Sequence, residues 1–359
     1  MIKIDDKRIL KDFNNKTFSG FNKPKVLKEL MINLDKSLVE HSCNWCCELI
    51  CAGHFLDIWN TIILFYTKYI HLGNPKLIIY ISRSLSYFKS IVRNDNSGGE
   101  LELRNNLEIR KMFAELICYL CFSRRQPSFR FVQIEEGDMN ITNITHKFIA
   151  PDTTFGSDNI HIDDQKELFV AINELVYNLQ YKNIMNSCFW VEWLIEFENT
   201  CVKKKCNCSC ARRYMNHVDP KFQREVTWLI WEILLKQIES VESSCRSCLK
   251  QVCSSAFELF AVKYSRSVLK KRRGLLYFVV QLICETNLDL TKEILDGKNV
   301  EETKAIVKNI DLLFMDIKKK EVVALENSNS VIEDVSYQQN ESNKQVKNSI
   351  EKLNMLNGL

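Results

Sequence analysis

The sequence predicts an all-α fold, and three observations carry this prediction. The 359 residues include only 10 glycines and 5 prolines, fewer turn-forming residues than a sheet-rich fold of this length needs. Apolar residues recur at helical spacing, as at Leu27, Leu30, Met31 and Leu34. Apolar residues make up 46% of the chain and charged residues 26%, a globular balance that argues against disorder over most of the length.

The first group of helices is predicted between residues 21 and 125. After a polar lead-in over residues 1–20, Pro24 suits the start of a helix, where its missing N–H would have no partner. Helical periodicity continues from Val26 to Ala52, and Gly53 is a typical C-terminal stop. Further helices are predicted at 56–70, 75–92 and 103–122.

Residues 126–163 have a different character and indicate a connection between two helical modules. Proline and glycine stand here among polar residues, and the β-like run Phe129–Ile134 predicts a small hairpin. The second module is predicted at 164–290, followed by a C-terminal helix within 291–322. The helices of this half are predicted at 164–178, 181–200, 220–239, 244–267, 270–285 and 300–320.

The last segment, 323–359, is polar and poor in aromatic residues, which predicts disorder over most of it. Ser349–Leu356 is the exception in composition, because it carries apolar residues at helical spacing. This stretch is either a frayed end or a short apolar-faced helix that binds a partner.

An internal repeat links the two modules. The stretch Glu29–Ile50 is related to Glu174–Ile195 by a constant offset of 145 residues without a gap. Helical periodicity alone explains the recurring Leu and Ile, but it does not explain the same Asn, Ser, Cys and Trp, so we interpret the pair as a duplication. Trp45 and Trp190 are then expected to anchor equivalent helix junctions. The recurring residues in the first copy are Glu29, Leu30, Asn33, Leu34, Ser42, Cys43, Trp45, Leu49 and Ile50.

The first copy resembles a known helical domain. Asn44-Trp45, Ala52-Gly53 and the turn from Ile70 to Pro75 are spaced as in the C-terminal domain of the replication-associated recombination AAA+ ATPases, the MgsA/RarA group. That domain is related to the collar of DNA polymerase clamp loaders. The resemblance covers Leu30–Val92 and implies a module that assembles subunits or docks on a replication or repair partner. The chain as a whole also resembles proteins of large DNA viruses.

The sequence indicates no catalytic centre, so we expect a protein without enzymatic activity. The phosphate-binding pattern G-x-x-x-x-G-K-[ST] does not occur, which departs from the ATPase family. The six histidines are scattered, and the acidic residues Asp158, Asp163 and Asp164 are interpreted as helix-capping. Glu192, Glu196 and Glu198 line one helix without a general-acid partner or a metal ligand beside them.

Two concentrated basic runs are candidates for contact with nucleic acid. The net charge is only +4, so the clusters stand out on an otherwise nearly neutral surface. Basic side chains of this kind neutralise phosphates, although a charge run is often just a solvated face. The second run also begins an apolar helix, where its charges oppose the helix dipole. The candidate residues are Lys203, Lys204, Lys205, Arg212, Arg213, Lys270, Lys271, Arg272 and Arg273.

The 15 cysteines are interpreted mainly as reduced core thiols. Cys43, Cys46, Cys47 and Cys51 share one helical face. The alternative is a zinc site, which needs four convergent ligands, usually as two close pairs. Cys206, Cys208 and Cys210 with Cys245 and Cys248 form the candidate set, to which Cys201 and Cys253 lie close in sequence.

These patterns together predict an intracellular protein of a reducing compartment, the cytosol or nucleus of a host cell if it is viral. No secretory signal precedes Lys16, and no apolar stretch is long enough for a membrane span. The expected function is a helical oligomerisation or docking module of DNA replication or repair, with self-association, replication proteins or DNA as partners. Two alternatives stay open: a structural or assembly protein, for example of a virus particle, and a zinc-stabilised nucleic-acid-binding module.

Overall fold

The all-α prediction is confirmed for the part of the chain that the structure describes. The computed structural model describes residues 2–94, 99, 101–206, 210–216, 218–241, 245–285 and 288–322. Within these ranges the regular elements are helical, and the α-helices, numbered in chain order, have the following bounds. They are α1 Lys23–Asp35, α2 Val39–Cys51, α3 Phe55–Phe65, α4 Leu77–Asn94, α5 Leu107–Phe122, α6 Phe169–Gln180, α7 Ile184–Lys203, α8 Val226–Ser240, α9 Arg246–Ala261, α10 Arg266–Cys284, α11 Gly297–Asn309 and α12 Asp311–Lys318.

The continuous helix predicted over 26–52 is in fact two helices. The chain leaves α1 at Asp35 and re-enters the helical conformation at Val39. Ser37 has a φ of 55°, in the left-handed region, which reverses the chain direction and lets α2 pack back on α1. Periodicity missed this turn because the apolar positions on both sides of it keep helical spacing.

The two copies of the repeat share this turn. Ser37 and Lys182 are 145 positions apart, and both have a left-handed backbone, with φ of 55° and 60°. A positive φ is uncommon for residues other than glycine. Its occurrence at the same position of both copies is a shared feature that apolar periodicity does not produce.

The recurring asparagines make the same hydrogen bond in both copies. Asn33 Nδ2 donates to the backbone oxygen of Glu29 at 2.8 Å, and Asn178 Nδ2 donates to that of Glu174 at 2.7 Å. Each asparagine amide therefore bonds the backbone one helical turn earlier in the chain, at the recurring glutamate. The recurring Asn therefore has the same local role in both copies, although a bond to a backbone oxygen does not require Glu at the acceptor position.

The recurring serines are equivalent as well. Ser42 Oγ donates to the Leu38 oxygen at 2.8 Å, and Ser187 Oγ donates to the Asn183 oxygen at 2.8 Å. Leu38 and Asn183 are themselves the residues that follow the left-handed turn. In each copy the serine hydroxyl thus links the first turn of the helix, α2 or α7, to the residue that precedes the helix.

The two tryptophans of the repeat are not equivalent, which corrects the expectation that both are buried anchors. Trp190 is 1% exposed and stacks on Phe148 with ring centroids 5.9 Å apart. Trp45 is half-buried and meets the edge of Phe21 at 5.6 Å. Phe148 comes from the connecting segment, whereas Phe21 lies just before α1, so the two tryptophans are covered by different parts of the chain.

Each half also contains a buried aromatic cluster on the helices after the repeat. Trp59 of α3 packs against Phe88 of α4 and Phe113 of α5, with centroids 5.9 and 5.2 Å apart. In the second half, Trp231 of α8 packs against Phe260 of α9 at 5.2 Å. These large rings form the centre of each helical group.

The two halves meet along an extensive helical contact. A Cβ atom on Gly274 of α10 would lie 2.6 Å from Thr67 Oγ1, so the glycine allows α10 to cross close to the π-helical turn Tyr66–Ile70. Ser82 Oγ on α4 donates to Glu258 Oε2 on α9 at 2.6 Å. Buried apolar side chains form one connected cluster through both halves.

The connecting segment forms no hairpin in the described residues, because its aromatic side chains are used for packing instead. Phe129 and Phe131 lie against Tyr277 of α10, at 5.4 and 4.8 Å between ring centroids. The backbone N–H of Val132 donates to Tyr277 Oη at 2.8 Å. The β-like run is therefore an extended strap across α10.

Hydrogen bonds join the lead-in to the end of the C-terminal helices. The Lys7 N–H donates to the Val322 oxygen at 3.2 Å, and the Val322 N–H donates to Asp6 Oδ2 at 3.0 Å. Arg110 of α5 pairs with Asp311 at 3.2 Å and lies over the ring of Phe314. The C-terminal segment, predicted as one helix, is the pair α11 and α12; residues 323–359, for which disorder was predicted, lie outside the described residues.

Candidate nucleic-acid interface

The two basic runs come together because α7 and α10 are antiparallel. Arg273 Nη1 lies 2.5 Å from Glu192 Oε2, and Arg266 Nη2 lies 3.5 Å from Glu198 Oε1. The order of the partners is reversed along the two helices. The end of α7, with the run that starts at Lys203, therefore lies at the same end of the bundle as the start of α10.

The C-terminal ends of α4 and α9 reach the same end of the molecule. Lys76 lies near Cys248, and Ser82 binds Glu258, so α4 and α9 run in parallel. The chain passes from the end of α9 to the start of α10 through residues 262–265. Three helix C-termini therefore surround the first turns of α10.

These helix ends contribute cations that the sequence analysis missed. Burial lowers the pKa of Lys89, and the positive charges of Arg93, Arg272 and Lys263 act in the same direction, against Glu258. Lys89 and Arg93 are one turn apart near the C-terminus of α4, where the helix dipole stabilises positive charges. That spacing was a usable signal in the sequence, but the two residues form no contiguous run.

We call this region the basic end. Its side chains are exposed, with Lys89 partly desolvated at its stem, and they outnumber the carboxylates beside them. These carboxylates include Glu196, the partner of Lys203 at 3.0 Å, and Glu198 and Glu225, each 3.5 Å from Arg266. The excess of positive charge favours polyanions. The basic end consists of Lys89, Arg93, Lys203, Lys204, Lys205, Lys263, Arg266, Lys270 and Lys271.

Arg213, a candidate for nucleic-acid contact, is a buried structural residue instead. Its guanidinium forms a bidentate pair with Asp164, at 2.6 and 2.7 Å, and its Nε donates to Glu232 at 2.7 Å. It also donates to the backbone oxygens of Asn159 and Ala211. The carboxylate of Asp164, expected to cap a helix, is thus part of an ion pair that fastens the 210–216 loop to the connecting segment.

Arg272 is buried as well. Its Nη1 donates to the backbone oxygens of Phe260, at 2.9 Å, and of Val262, and its Nη2 donates to Asn60 Oδ1 at 3.3 Å. Burial lowers its pKa to about 10. The guanidinium caps the C-terminus of α9, because it donates to backbone oxygens that have no partner within the helix. It is therefore not available to bind a phosphate.

The remaining candidates are partly engaged. Arg273 is half-buried between Glu192 and the ring of Phe131, whose centroid lies 5.1 Å away. Arg212 donates to Gln223 Oε1 at 2.7 Å and lies over the exposed ring of Tyr214. Five exposed lysines remain as candidates, and their contact with nucleic acid stays a prediction: Lys203, Lys204, Lys205, Lys270 and Lys271.

A buried carboxylate lies beside the basic end. Glu198 accepts a hydrogen bond from the N–H of Val226 at 3.2 Å, where α8 begins. Burial raises its pKa from the ordinary 4.5 to about 7, and the neighbouring carboxylate of Glu225 acts in the same direction, against Arg266. The folded protein therefore binds this proton more tightly than the unfolded chain does.

We expect Glu198→Gln to stabilise the protein at high pH relative to the native sequence. Because the pKa is raised on folding, the native carboxyl costs stability as the pH rises from about 4.5 to about 7. The difference in unfolding free energy between Glu198→Gln and native protein should grow by up to about 3 kcal/mol between about pH 5 and about pH 8. Urea denaturation at each pH measures it.

Glu196→Gln is the matched control on the same helix. Hydrogen bonds from Asn199 and Lys203 lower the pKa of Glu196 although desolvation opposes them, so the sign should be reversed and the effect small. An equal pH response of both variants would contradict the assignment of the raised pKa to Glu198.

The candidate zinc ligands do not converge in the described part of the chain. The Cys210 N–H donates to the Arg224 oxygen, next to the start of α8, whereas Cys245 and Cys248 lie beyond the end of α8. A 15-residue helix is about 22 Å long, so these thiols cannot share an ion with bonds of about 2.3 Å. Cys208 lies outside the described residues.

Among the described residues, no group of three or more His, Cys, Asp or Glu side chains could hold a metal ion. Cys43, Cys46, Cys47 and Cys51 are buried free thiols on α2, as predicted. Burial raises the pKa of Cys46, which fits a thiol that serves as a small apolar core residue.

The fold and the site define an all-α protein whose two halves share a repeated helix–turn–helix. Its basic end collects cations from α4, α7 and α10 and from the segments that follow α7 and α9. None of the helices in the described ranges is long and apolar enough to cross a bilayer. No protein-family model, no curated protein and no solved structure matches the chain. The likeness to the MgsA/RarA helical domain therefore stays a prediction from the sequence.

Proposed function

We propose that this protein is a non-enzymatic helical docking module of DNA replication or repair that contacts the DNA backbone through the basic end. The observation that supports this is the convergence of two sequence-distant basic runs, the cations Lys89 and Arg93 of α4, and Lys263 after α9 on one end of the bundle. Lysine ammonium groups pair with phosphates without reading bases, so the expected binding is independent of sequence.

The link to replication rests on the resemblance of the first module. Its landmarks lie at turns that shape the helices: Gly53 follows α2 with a φ of 76°, and a Cβ on Gly73 would lie 2.5 Å from the Arg124 oxygen. Asn74 in the same turn donates to Ser123 and to the Ile294 oxygen. The landmark residues thus position helices, and the docking role itself rests on the resemblance.

We expect the double substitution Lys270→Glu and Lys271→Glu to weaken DNA binding about tenfold or more at low salt. Each lost phosphate contact should also lower the slope of log affinity against log salt by about 0.9. Fluorescence anisotropy with a labelled duplex, between about 50 and about 200 mM salt, measures both quantities.

The matched control is Lys304→Glu with Lys308→Glu on α11. These lysines are exposed too, but the main packing partner of α11 is α5, which contributes no residue to the basic end. The control changes net charge by the same amount, so equal losses in both variants would reduce the effect to overall charge. Unchanged binding in Lys270→Glu/Lys271→Glu would remove the basic end from the proposal.

The docking role is tested separately by recovery of partners from cells that express the tagged full chain. Polymerase, clamp or helicase subunits among the captured proteins support the proposal. Recovery of coat proteins without replication proteins would favour a structural or assembly role instead.

A further inference from the structure

A groove opens between the first module and the C-terminal helices. It has a volume of about 820 Å³ and lies between the start of α2 and the pair α11 and α12. The turn residue Leu38 forms one wall, and Ile306 and Leu312 form the other. The left-handed turn of the repeat therefore shapes this groove.

The walls of the groove are apolar and open to solvent. Leu38 is 40% exposed and Leu312 is 54% exposed, although both are large aliphatic residues. Glu40, His41 and Glu302 add polar groups to the lining. An exposed apolar surface with a polar rim is typical of a binding site for an amphipathic segment.

We propose that this groove binds the chain's own C-terminal segment, Ser349–Leu356. Ile350, Leu353 and Leu356 are three residues apart, which places them on one face when the segment is helical. Eight helical residues are about 12 Å long. The stretch of α11 that lines the groove, Glu302–Asn309, has the same length, so one apolar face fits along the other.

The C-terminal segment can reach the groove from the position where the described chain ends. Val322 is held beside Asp6 and Lys7, and it follows α12, whose first turn lines the groove. Residues 323–348 reach on the order of 80 Å when extended and about 30 Å as a random coil. Either distance exceeds the length of α12, about 12 Å, which separates Val322 from the groove. Because the segment is tethered to the same chain, its effective concentration at the groove is about millimolar.

The charges are complementary as well. Glu40 and Glu302 place two carboxylates on the groove, whereas residues 344–356 carry Lys344, Lys347 and Lys352 against the single carboxylate Glu351. Lysine stems can also cover apolar surface while the ammonium reaches a carboxylate at the rim. The lysines at and just before the segment therefore favour it over an acidic occupant.

Photo-crosslinking in the full chain tests the proposal. With p-benzoylphenylalanine in place of Leu353, irradiation should give crosslinks to the groove residues Leu38, Ile306 and Leu312, in a product of monomer mass. The same group in place of Val335 should give at least fivefold fewer crosslinks to those residues. Mass spectrometry of digests locates the linked peptides.

Leu312→Glu should reduce the crosslinks from position 353 at least fivefold, whereas Met315→Glu should leave them unchanged. Met315 is similarly exposed on α12 but does not line the groove. Thermal melts of both variants establish that each one folds. Crosslinks spread over other surfaces, or unaffected by Leu312→Glu, would overturn the proposal, and a product of dimer mass would assign the groove to a second copy instead.

Discussion

Replacing Arg213 by alanine is expected to lower the free energy of unfolding by about 3–5 kcal/mol. The substitution leaves the carboxylate of Asp164 buried without the bidentate partner that lies 2.6 and 2.7 Å away. Burial raises the pKa of Asp164, but the hydrogen bonds from Arg213 and from backbone groups outweigh it and hold the pKa below the ordinary value. Removal of Arg213 therefore exposes the full cost of that buried charge.

Urea denaturation followed by circular dichroism measures the loss, with Arg212→Ala as the neighbouring control. Arg212 is half-buried, donates a hydrogen bond to Gln223 and lies over the exposed ring of Tyr214, so its replacement should cost about 1 kcal/mol. Adding Asp164→Asn to Arg213→Ala should recover part of the loss, because it removes the unpaired charge. A loss below about 1 kcal/mol for Arg213→Ala would contradict a structural role for this ion pair.

The second large effect concerns the tryptophans of the repeat. Trp190→Ala is expected to cost about 3–5 kcal/mol, because the ring is fully buried between Phe148, Phe189 and Trp193. Trp45→Ala removes the same atoms at the equivalent position, where the ring is half-buried against Phe21, and should cost about half as much or less.

The same denaturation experiment compares the two variants directly. Circular dichroism is preferable to fluorescence here because each variant loses a fluorophore. Equal losses at the two positions would mean that Phe148 and the connecting segment contribute nothing to the burial of Trp190.

Several properties of the repeat could be predicted from the sequence, because they depend on local chemistry. Asn33 and Asn178 bind backbone oxygens four residues earlier, and Ser42 and Ser187 do the same within their own helices. Such contacts need no other part of the chain. The left-handed turn at Ser37 is local too, but a serine gives little sign of a positive φ, so the turn was missed.

The candidate site could be predicted only in part. Lys270 and Lys271 were recognised as a run, and they are exposed. Arg272, in the same run, is buried, because a helix turns each successive residue by about 100° and this one faces the end of α9. Contiguous charge in the sequence is therefore not contiguous charge on the surface.

The amino-acid sequence by itself determined the helical class, the repeat and the location of the basic runs, since periodicity, turn residues and charge are properties of neighbouring positions. The tertiary structure alone decided which cations share a surface, which arginines are enclosed, and that the cysteines near Cys210 and Cys245 lie apart. The antiparallel packing of α7 on α10 sets these relations. Such packing depends on the shapes of whole helix faces, which no single motif encodes.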